Sequence, residues 1–359
     1  MCISCSPSVP EIFCIQIEAG DDRCGEDMLR HFGSMLSRSP AAHYMIINSG
    51  TSRVVVMDGS EIRRGQAGRK ELLRLMIGTN GSGGLGGTSL QENKIAVVWP
   101  DKKAAAFSFR FYQVLPETSR LLPMECSNSA SSCAMFAQLG GHYRGQSDMW
   151  KAVNYSTGQR IELRPDPGQG IPEAWRVRFL ASPRSRLALK GLTEEKSVTV
   201  GRRTVRFHPV LLGNLFLFVD LDPDLFRPEI ADAVAEQGMK VAYAVGFDRP
   251  DYHPKVIPYR VAALGLSGTV RAASHYCGEI HRSFPGSAAM VLTSYLEGRR
   301  LGRTDPKQRT WRVQHPSGEL QVNLAFNGAS RRILAWAEFT TPVRLLAWGS
   351  AYMPWRAEA

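Results

Sequence analysis

Residues 125 to 140 read Glu-Cys-Ser-Asn-Ser-Ala-Ser-Ser-Cys-Ala-Met-Phe-Ala-Gln-Leu-Gly, a stretch made almost entirely of small side chains with helical spacing. A helix of this kind covers little surface by itself, but it can run very close to surrounding strands, and that limits the folds open to the chain. Ser127, Asn128 and Ser129 are suited to cap such a helix, and Gly140-Gly141 offers its stop. Leu266-Ser267-Gly268-Thr269 stands before a second run of small residues, Val270 to Ser274, which reads as the opening of a matching helix in the second half. Each start puts a small nucleophilic or acidic side chain at a helix N-terminus, where unpaired N–H groups and the macrodipole favour negative charge. Two such starts facing each other would hold a carboxylate and stabilise the anion left when a neighbouring carbon loses its proton. The chain therefore reads as a carbon-acid enzyme.

A length of 359 residues exceeds what one hydrophobic core supports, so more than one domain is expected. With 43% hydrophobic and 21% charged residues the chain resembles a soluble globular protein, and no apolar run is long enough to span a bilayer. The first residues lack the pattern of a secretory signal, which points to a reduced, cytoplasmic protein. Seven cysteines make an odd set, and Cys2, Cys5, Cys14 and Cys24 crowd the start of the chain. Cys2-x-x-Cys5 resembles half of a zinc knuckle, yet neither a second CxxC nor a suitably spaced His follows, so ordinary thiols in a loosely held extension are the preferred reading, with no metal expected. The net charge of +11 comes from scattered pairs such as Arg63-Arg64, Arg202-Arg203 and Arg331-Arg332, without interleaved aromatics. A small acidic substrate is thus the expected partner, with no nucleic acid and no membrane; a homodimer is a possible assembly.

Residues 1–40 read as an appended segment carrying a short amphipathic helix over residues 26–36. Strands are expected at Tyr44–Ile47 and Arg53–Met57, joined by the small polar turn Asn48–Ser52, and helical spacing returns at Lys70–Ile77. The glycine-rich loop from Gly78 to Ser89, including Gly86 and Gly87, allows close backbone approach to a ligand. It lacks the P-loop spacing and leads into a strand rather than a helix, which excludes nucleotide binding by either familiar motif. Lys94 opens that strand; on residue type alone it is a solvated strand-end lysine. Cys126 would sit at the positive end of the small-residue helix, where a thiol ionises more readily, while Cys133 reads as a buried structural cysteine. In the second half, strands are expected at Ser197–Val200, Thr204–Phe207 and Leu215–Val219, entered through Gly213-Asn214, then a helix over Pro228–Gly238 and a strand over Val241–Val245. Residues 311–345 return to strands.

These motifs fall in an order that resembles the PrpF-like isomerase family, the 2-methylaconitate cis/trans isomerases, which are relatives of diaminopimelate epimerase. Asn48-Ser49-Gly50-Thr51-Ser52-Arg53 is similar to the family's RGGTSKG, and the stretch from Gly84 to Val98 to its GLGG...TSKVAVV. Cys126-Ser127-Asn128 stands for CGN, Ser267-Gly268 for TGA, Phe284-Pro285-Gly286-Ser287 for IPGT, and His315-Pro316-Ser317-Gly318 for HPSG. Arg344, Gly349 and Pro354 fit the closing RTARxLxxGxxxxP stretch, with Thr341 at its first arginine. The resemblance implies an α/β (α+β) protein of two pseudo-symmetric diaminopimelate epimerase-like domains, each a mostly antiparallel sheet curled around a central helix, with the active site between them. The expected division is an extension at 1–40, domains at 41–190 and 191–340, and residues 341–359 returning to the first domain.

The resemblance further implies no cofactor, with Lys94 as proton-transfer base and Cys126 as its partner. Substrate-binding positions would be Ser49, Gly50, Thr51, Ser52, Arg53, Gly86, Gly87, Ser127, Asn128, Asn214, Ser267, Gly268, Thr269 and Ser287. An allylic isomerase takes a proton from carbon next to an unsaturated carboxylate, holds the dienolate and returns a proton elsewhere, which requires a base near neutrality and donors aimed at the carboxylate. Ser267 in place of a second thiol disfavours a two-thiol racemase. The altered NSGTSR and CSN motifs and Thr341 favour a substrate in a specialised, alkylproline-type biosynthetic pathway. The alternatives are a 2-methylaconitate- or oxalomesaconate-type tricarboxylate isomerase, and an inactive carboxylate-binding protein of the same fold.

Overall fold

The computed structural model describes residues 12–16, 41–50, 52–77, 94–101, 103–115, 120–124, 126–140, 148–166, 172–180, 194–212, 214–247, 253–263, 267–276, 279–281, 285–300, 308–316, 318–327 and 333–352. In chain order the first part forms β1 (Ile12–Gln16), β2 (Ala41–Ser49), β3 (Ser52–Asp58), α1 (Gly65–Ile77), β4 (Lys94–Pro100), β5 (Ala106–Leu115) and β6 (Arg120–Pro123). Then come α2 (Ser127–Leu139), β7 (Trp150–Asn154), β8 (Gln159–Pro165) and β9 (Ala174–Leu180). The second part forms β10 (Lys196–Val200), β11 (Arg203–Leu212), β12 (Asn214–Asp220), α3 (Pro228–Ala244), β13 (Lys255–Ala263), β14 (Ser267–Ala272), β15 (Ser274–Tyr276) and β16 (Glu279–His281). It continues with α4 (Gly286–Arg300), β17 (Gln308–His315), β18 (Gly318–Asn327) and β19 (Ile333–Tyr352). Two compact units result, Met1–Val177 with Thr341–Ala359, and Arg178–Thr340.

In the first unit β2 and β3 pair across a tight turn, Ser49 opposite Ser52. β3 and β4 are parallel, with α1 in the connection, and β5 is parallel to β7, with β6 and α2 in the connection. The remaining pairings run β4–β5, β7–β8, β8–β9, β9–β19 and β19–β2, which closes a ring of eight strands. β1 adds to β19, Ile12 opposite Ala351 and Gln16 opposite Ala347, so at least this part of the N-terminal segment belongs to the sheet.

Successive strand residues point to opposite faces, and here both faces are buried, which explains uninterrupted apolar runs such as Val54–Met57 and Ile95–Val98. Tyr44, Ile46, Val55, Met57, Ile95 and Val97 form one cluster with Leu72, Leu75 and Met76 of α1. The alternating set, Val54, Val56, Ala96 and Val98, faces the other way, towards α2, which touches β2, β3, β4, β5 and β8. An eight-stranded ring has an interior wide enough for little more than side chains. A helix fits there only if its own side chains are small; Ala130, Ser131, Ser132, Cys133, Ala134 and Ala137 are all fully buried.

The second unit repeats this plan. β11 and β12 form the hairpin, β12 and β13 are parallel across α3, and β14 and β17 are parallel across a connection carrying β15, β16 and α4. α4 is thus the counterpart of α2. Its Glu297, 1% exposed, accepts a hydrogen bond from Trp311 Nε1 at 2.9 Å and anchors the helix to β17.

Three expectations are corrected. Leu266–Ser274 does not open a helix: Ser267–Ala272 is β14, with Gly268, Val270 and Ala272 buried in alternation. Its small residues reflect a different constraint, since a Cβ on Gly268 would lie 2.6 Å from the Trp311 ring. The second small-residue helix is α4, opened by Pro285-Gly286-Ser287. Val241–Val245 is not a strand, because α3 runs on to Ala244 and the buried positions Ile230, Ala231, Val234, Gly238 and Ala242 keep helical spacing through it. The helix expected from Lys70 begins at Gly65. The helix expected over residues 26–36, the glycine-rich loop from Gly78 to Ser89, and Cys2, Cys5, Cys24 and Cys277 lie outside the described residues.

Candidate functional site

β3 and β4 run parallel, so they start at the same end of the barrel, and each starts with a polar residue on the helix-facing side. Ser52 precedes inward Val54, and Lys94 precedes inward Ala96; Lys94 Nζ donates a hydrogen bond to Ser52 Oγ at 3.2 Å. Lys94 is half-buried and Ser52 is buried. Gln113, opposite Lys94 on β5, is a further buried polar residue on that face.

α2 begins at the same end. Ser131 Oγ, about one turn into it, shares a 2.6 Å hydrogen bond with Ser49 Oγ. Gly50, at φ +54°, packs so closely that a Cβ there would meet Thr341 Oγ1 at 2.8 Å and Asn128 Nδ2 at 3.3 Å. Its N–H donates to the Pro342 carbonyl at 2.8 Å. The β2–β3 turn thereby joins Lys94 on one side to the first turn of α2 on the other.

Cys126 occupies the capping position of α2 with an extended backbone, and no side chain caps the helix there. Ser129 Oγ donates to the Cys126 carbonyl at 2.5 Å, and the Ser131 and Ser132 hydroxyls both donate to the Asn128 carbonyl at 3.0 Å. The serines turn back onto the helix, which leaves the Cys126 end to the helix N–H groups. Cys126 is half-buried and free; Cys133 is also free but fully buried, and burial, reinforced by the charge of Cys126 when ionised, pushes its thiol well above the usual range.

Among the sequence-derived positions the structure thus gathers Ser49, Gly50, Ser52, Lys94, Cys126 and Asn128 at one end of the first unit, with Ser127 as the first residue of α2. Arg53 is exposed on the opposite face of β3, in register with Asn48. Thr51, Gly86 and Gly87 lie outside the described residues. In the second unit Asn214 is the first residue of β12 and is fully buried, while Ser287 opens α4, and Ser267, Gly268 and Thr269 lie along β14. Ser131 and Thr341 were not singled out as site residues. Ser131 follows Asn128 by three positions and so shares its helix face, a readable signal; Thr341 comes from the far end of the chain and is placed only by β19.

Among the described residues there is no group of three His, Cys, Asp or Glu able to hold a metal, and no helix is long and apolar enough to cross a membrane. A polar hollow in the second unit is lined by Glu195, Arg203, Arg206, His208 and Asp220, none of them a predicted site residue. Glu195 there pairs with both His208 and Arg206, at 3.3 and 3.5 Å.

No family model matches the sequence, and no curated protein matches it either. Solved structures do. A methylitaconate-delta-isomerase superposes with a TM-score of 0.61 at 15% identity, over 88% of this chain and 96% of that one. A hydroxyproline epimerase from Agrobacterium vitis, with bound trans-4-hydroxy-L-proline, gives 0.57 at 14% identity over 87% and 93%. A phenazine biosynthesis protein of the PhzF family from Bacillus anthracis gives 0.52 at 9% identity over 87% and 99%. The chain has the fold shared by these proteins. It is the α/β architecture of the PrpF-like isomerases and proline epimerases, built as two repeats of sheet around a central helix. Within this fold α2 and α4 hold corresponding places, and only α2 has a cysteine at its start; α4 has Pro285.

Proposed function

We propose that the protein is a cofactor-independent isomerase that moves a carbon–carbon double bond in an unsaturated carboxylate by removing a proton and returning one at another carbon. The observation that carries this reading is the meeting of Lys94, Ser52, Asn128 and the Cys126 end of α2 at one end of the barrel. Lys94 in its amine form accepts the proton, and the Ser52 hydroxyl, 3.2 Å away, fixes the direction of its Nζ. Developing carboxylate and dienolate charge is met by the N–H groups of the first turn of α2 and the Asn128 side chain, at a helix start tied to the end of β2 by the Ser49–Ser131 bond. The Cys126 thiol, at the positive end of the helix, is the partner that exchanges a proton with the anion.

Thr341 supports a specialised substrate over a tricarboxylate. It is 2% exposed beside Gly50 and Asn128, so a hydroxyl occupies the position where the resembling family carries an arginine. An alkylproline-type or dienyl carboxylate, with one acidic group, suits that neutral surface better than a substrate with three.

The test is hydrogen exchange in deuterated water, with methylitaconate, trans-aconitate and a pyrroline carboxylate bearing an unsaturated side chain as probes. The wild type is expected to put solvent deuterium into at least one of them, and Lys94→Ala to slow that exchange at least 1,000-fold, about 4 kcal/mol of barrier. Exchange that persists undiminished in Lys94→Ala removes the lysine from the reaction, and probes that bind without exchanging make the protein a carboxylate carrier.

A further inference from the structure

Ser131 is bonded to both sides of the site at the mouth of the first barrel. Lys94 belongs to the strand side: its Nζ donates to Ser52 Oγ at 3.2 Å, and Ser52 stands opposite Ser49 in the β2–β3 register, so the two serine side chains lie on one face of the hairpin. Asn128 belongs to the helix side, in the first turn of α2. Ser131 Oγ shares the 2.6 Å bond with Ser49 Oγ on the hairpin and donates to the Asn128 carbonyl at 3.0 Å on the helix.

A hydroxyl has one hydrogen, so with Ser131 donating to Asn128 the short bond is given by Ser49. The bonds then run in one direction, from the Ser49 hydroxyl to Ser131 and from Ser131 to the Asn128 carbonyl. Ser49 and Ser131 are fully buried and Asn128 is 2% exposed, which keeps water from competing for these bonds. Ser132 differs in one respect. It is equally buried and its hydroxyl donates to the same carbonyl at 3.0 Å, but among the described residues it has no bond to the hairpin.

We propose that Ser131 is a positioning residue of the isomerisation: through Ser49 it sets the distance between the hairpin that steadies Lys94 and the helix start that meets the anion. This rests on the function proposed above. Proton removal requires the base and the anion-holding donors to be aligned on one substrate, and a misplacement of about 1 Å costs about 100-fold in rate. Apolar contact between hairpin and helix has no preferred direction, whereas a hydrogen bond between two buried hydroxyls fixes both separation and angle.

The test is the exchange assay above, with kcat and KM measured on a probe that the wild type turns over. Ser131→Ala is expected to lower kcat for deuterium exchange at least about 30-fold, with KM within about threefold of wild type. Ser132→Ala removes an equally buried hydroxyl from the same carbonyl and is expected to keep both constants within about threefold. Ser49→Ala breaks the same bond from the hairpin side. Its loss is expected to match that of Ser131→Ala, and the double variant to fall no further than either alone. Thermal melts check that the fold is kept; should Ser131→Ala not fold, Ser49→Ala against Ser132→Ala carries the comparison. A Ser131→Ala loss no larger than that of Ser132→Ala, or losses that multiply in the double variant, overturns the proposal and leaves the role of Lys94 standing. If wild type shows no exchange with any probe, the proposed function fails and this one with it.

Discussion

Lys94 owes its place to alternation along one strand and to a hydroxyl on the next. Because Ile95 and Val97 pack towards α1, Lys94 must point to the side on which α2 lies, and Ser52 meets it there. Cys126 and Cys133 show how position decides the behaviour of one residue type. Seven residues apart on the same helix, the first is half-buried at the N-terminus and the second is enclosed, with its thiol pushed upward by burial. Between these two, iodoacetamide at pH 8 is therefore expected to label Cys126 and spare Cys133 until the protein is unfolded, as peptide mass spectrometry would show. Equal labelling of both in the folded protein would contradict the burial. Since folding raises the Cys133 pKa, its contribution to stability is complete below the thiol range of the unfolded chain and declines as pH rises above about 8.5.

At the scale of elements, α2 is defined by what surrounds it. Eight strands close around a helix whose buried face runs through Ala130, Ala134 and Ala137, and each of these alanines is there because a larger group has no room. Replacing Ala134 by Leu is expected to destabilise the fold by about 1–3 kcal/mol, whereas Ala67→Leu on the exposed face of α1 is expected to change stability by less than about 0.5 kcal/mol. Urea titration of the two variants checks this; a harmless Ala134→Leu would mean that the barrel is not filled by the helix. The same reasoning explains why small residues misled at Leu266–Ser274. Smallness marks a close approach, and a backbone can be approached closely as a helix inside a barrel or, as at Gly268 under the Trp311 ring, as a strand. Val241–Val245 looked like a strand by its residue types, but in α3 the buried spacing from Ile230 to Ala242 outweighs local propensity.

At the scale of the molecule, β19 is the element that most depends on long-range assembly. Its first part pairs with β18, and its last part lies against β2 on one side and β1 on the other, so it carries the chain from the second unit back into the first. Removing residues 1–16 would strip β1 from Ala347–Ala351 and expose a strand edge. The shortened protein is expected to melt about 2–4 °C lower and to aggregate sooner on heating, as calorimetry with light scattering would record. An unchanged melt would show that β1 contributes nothing to the barrel.

Reading the chain alone was enough to find a thin helix with Cys126 and Asn128 at its start and a lysine at the mouth of a strand, because packing demands on small residues and alternation of apolar ones are written locally; the matching helix of the second half was sought at Leu266–Ser274, a strand, when it is α4. What the residues could not disclose was partnership across distance. Thr341 reaches Gly50 and Asn128 only through β19, which the chain joins to β2 from nearly three hundred residues away. Such relations arise from which strand lies beside which, and in this protein the pairing is decided by closure of the barrel around its helix, a condition that belongs to the folded chain as a whole.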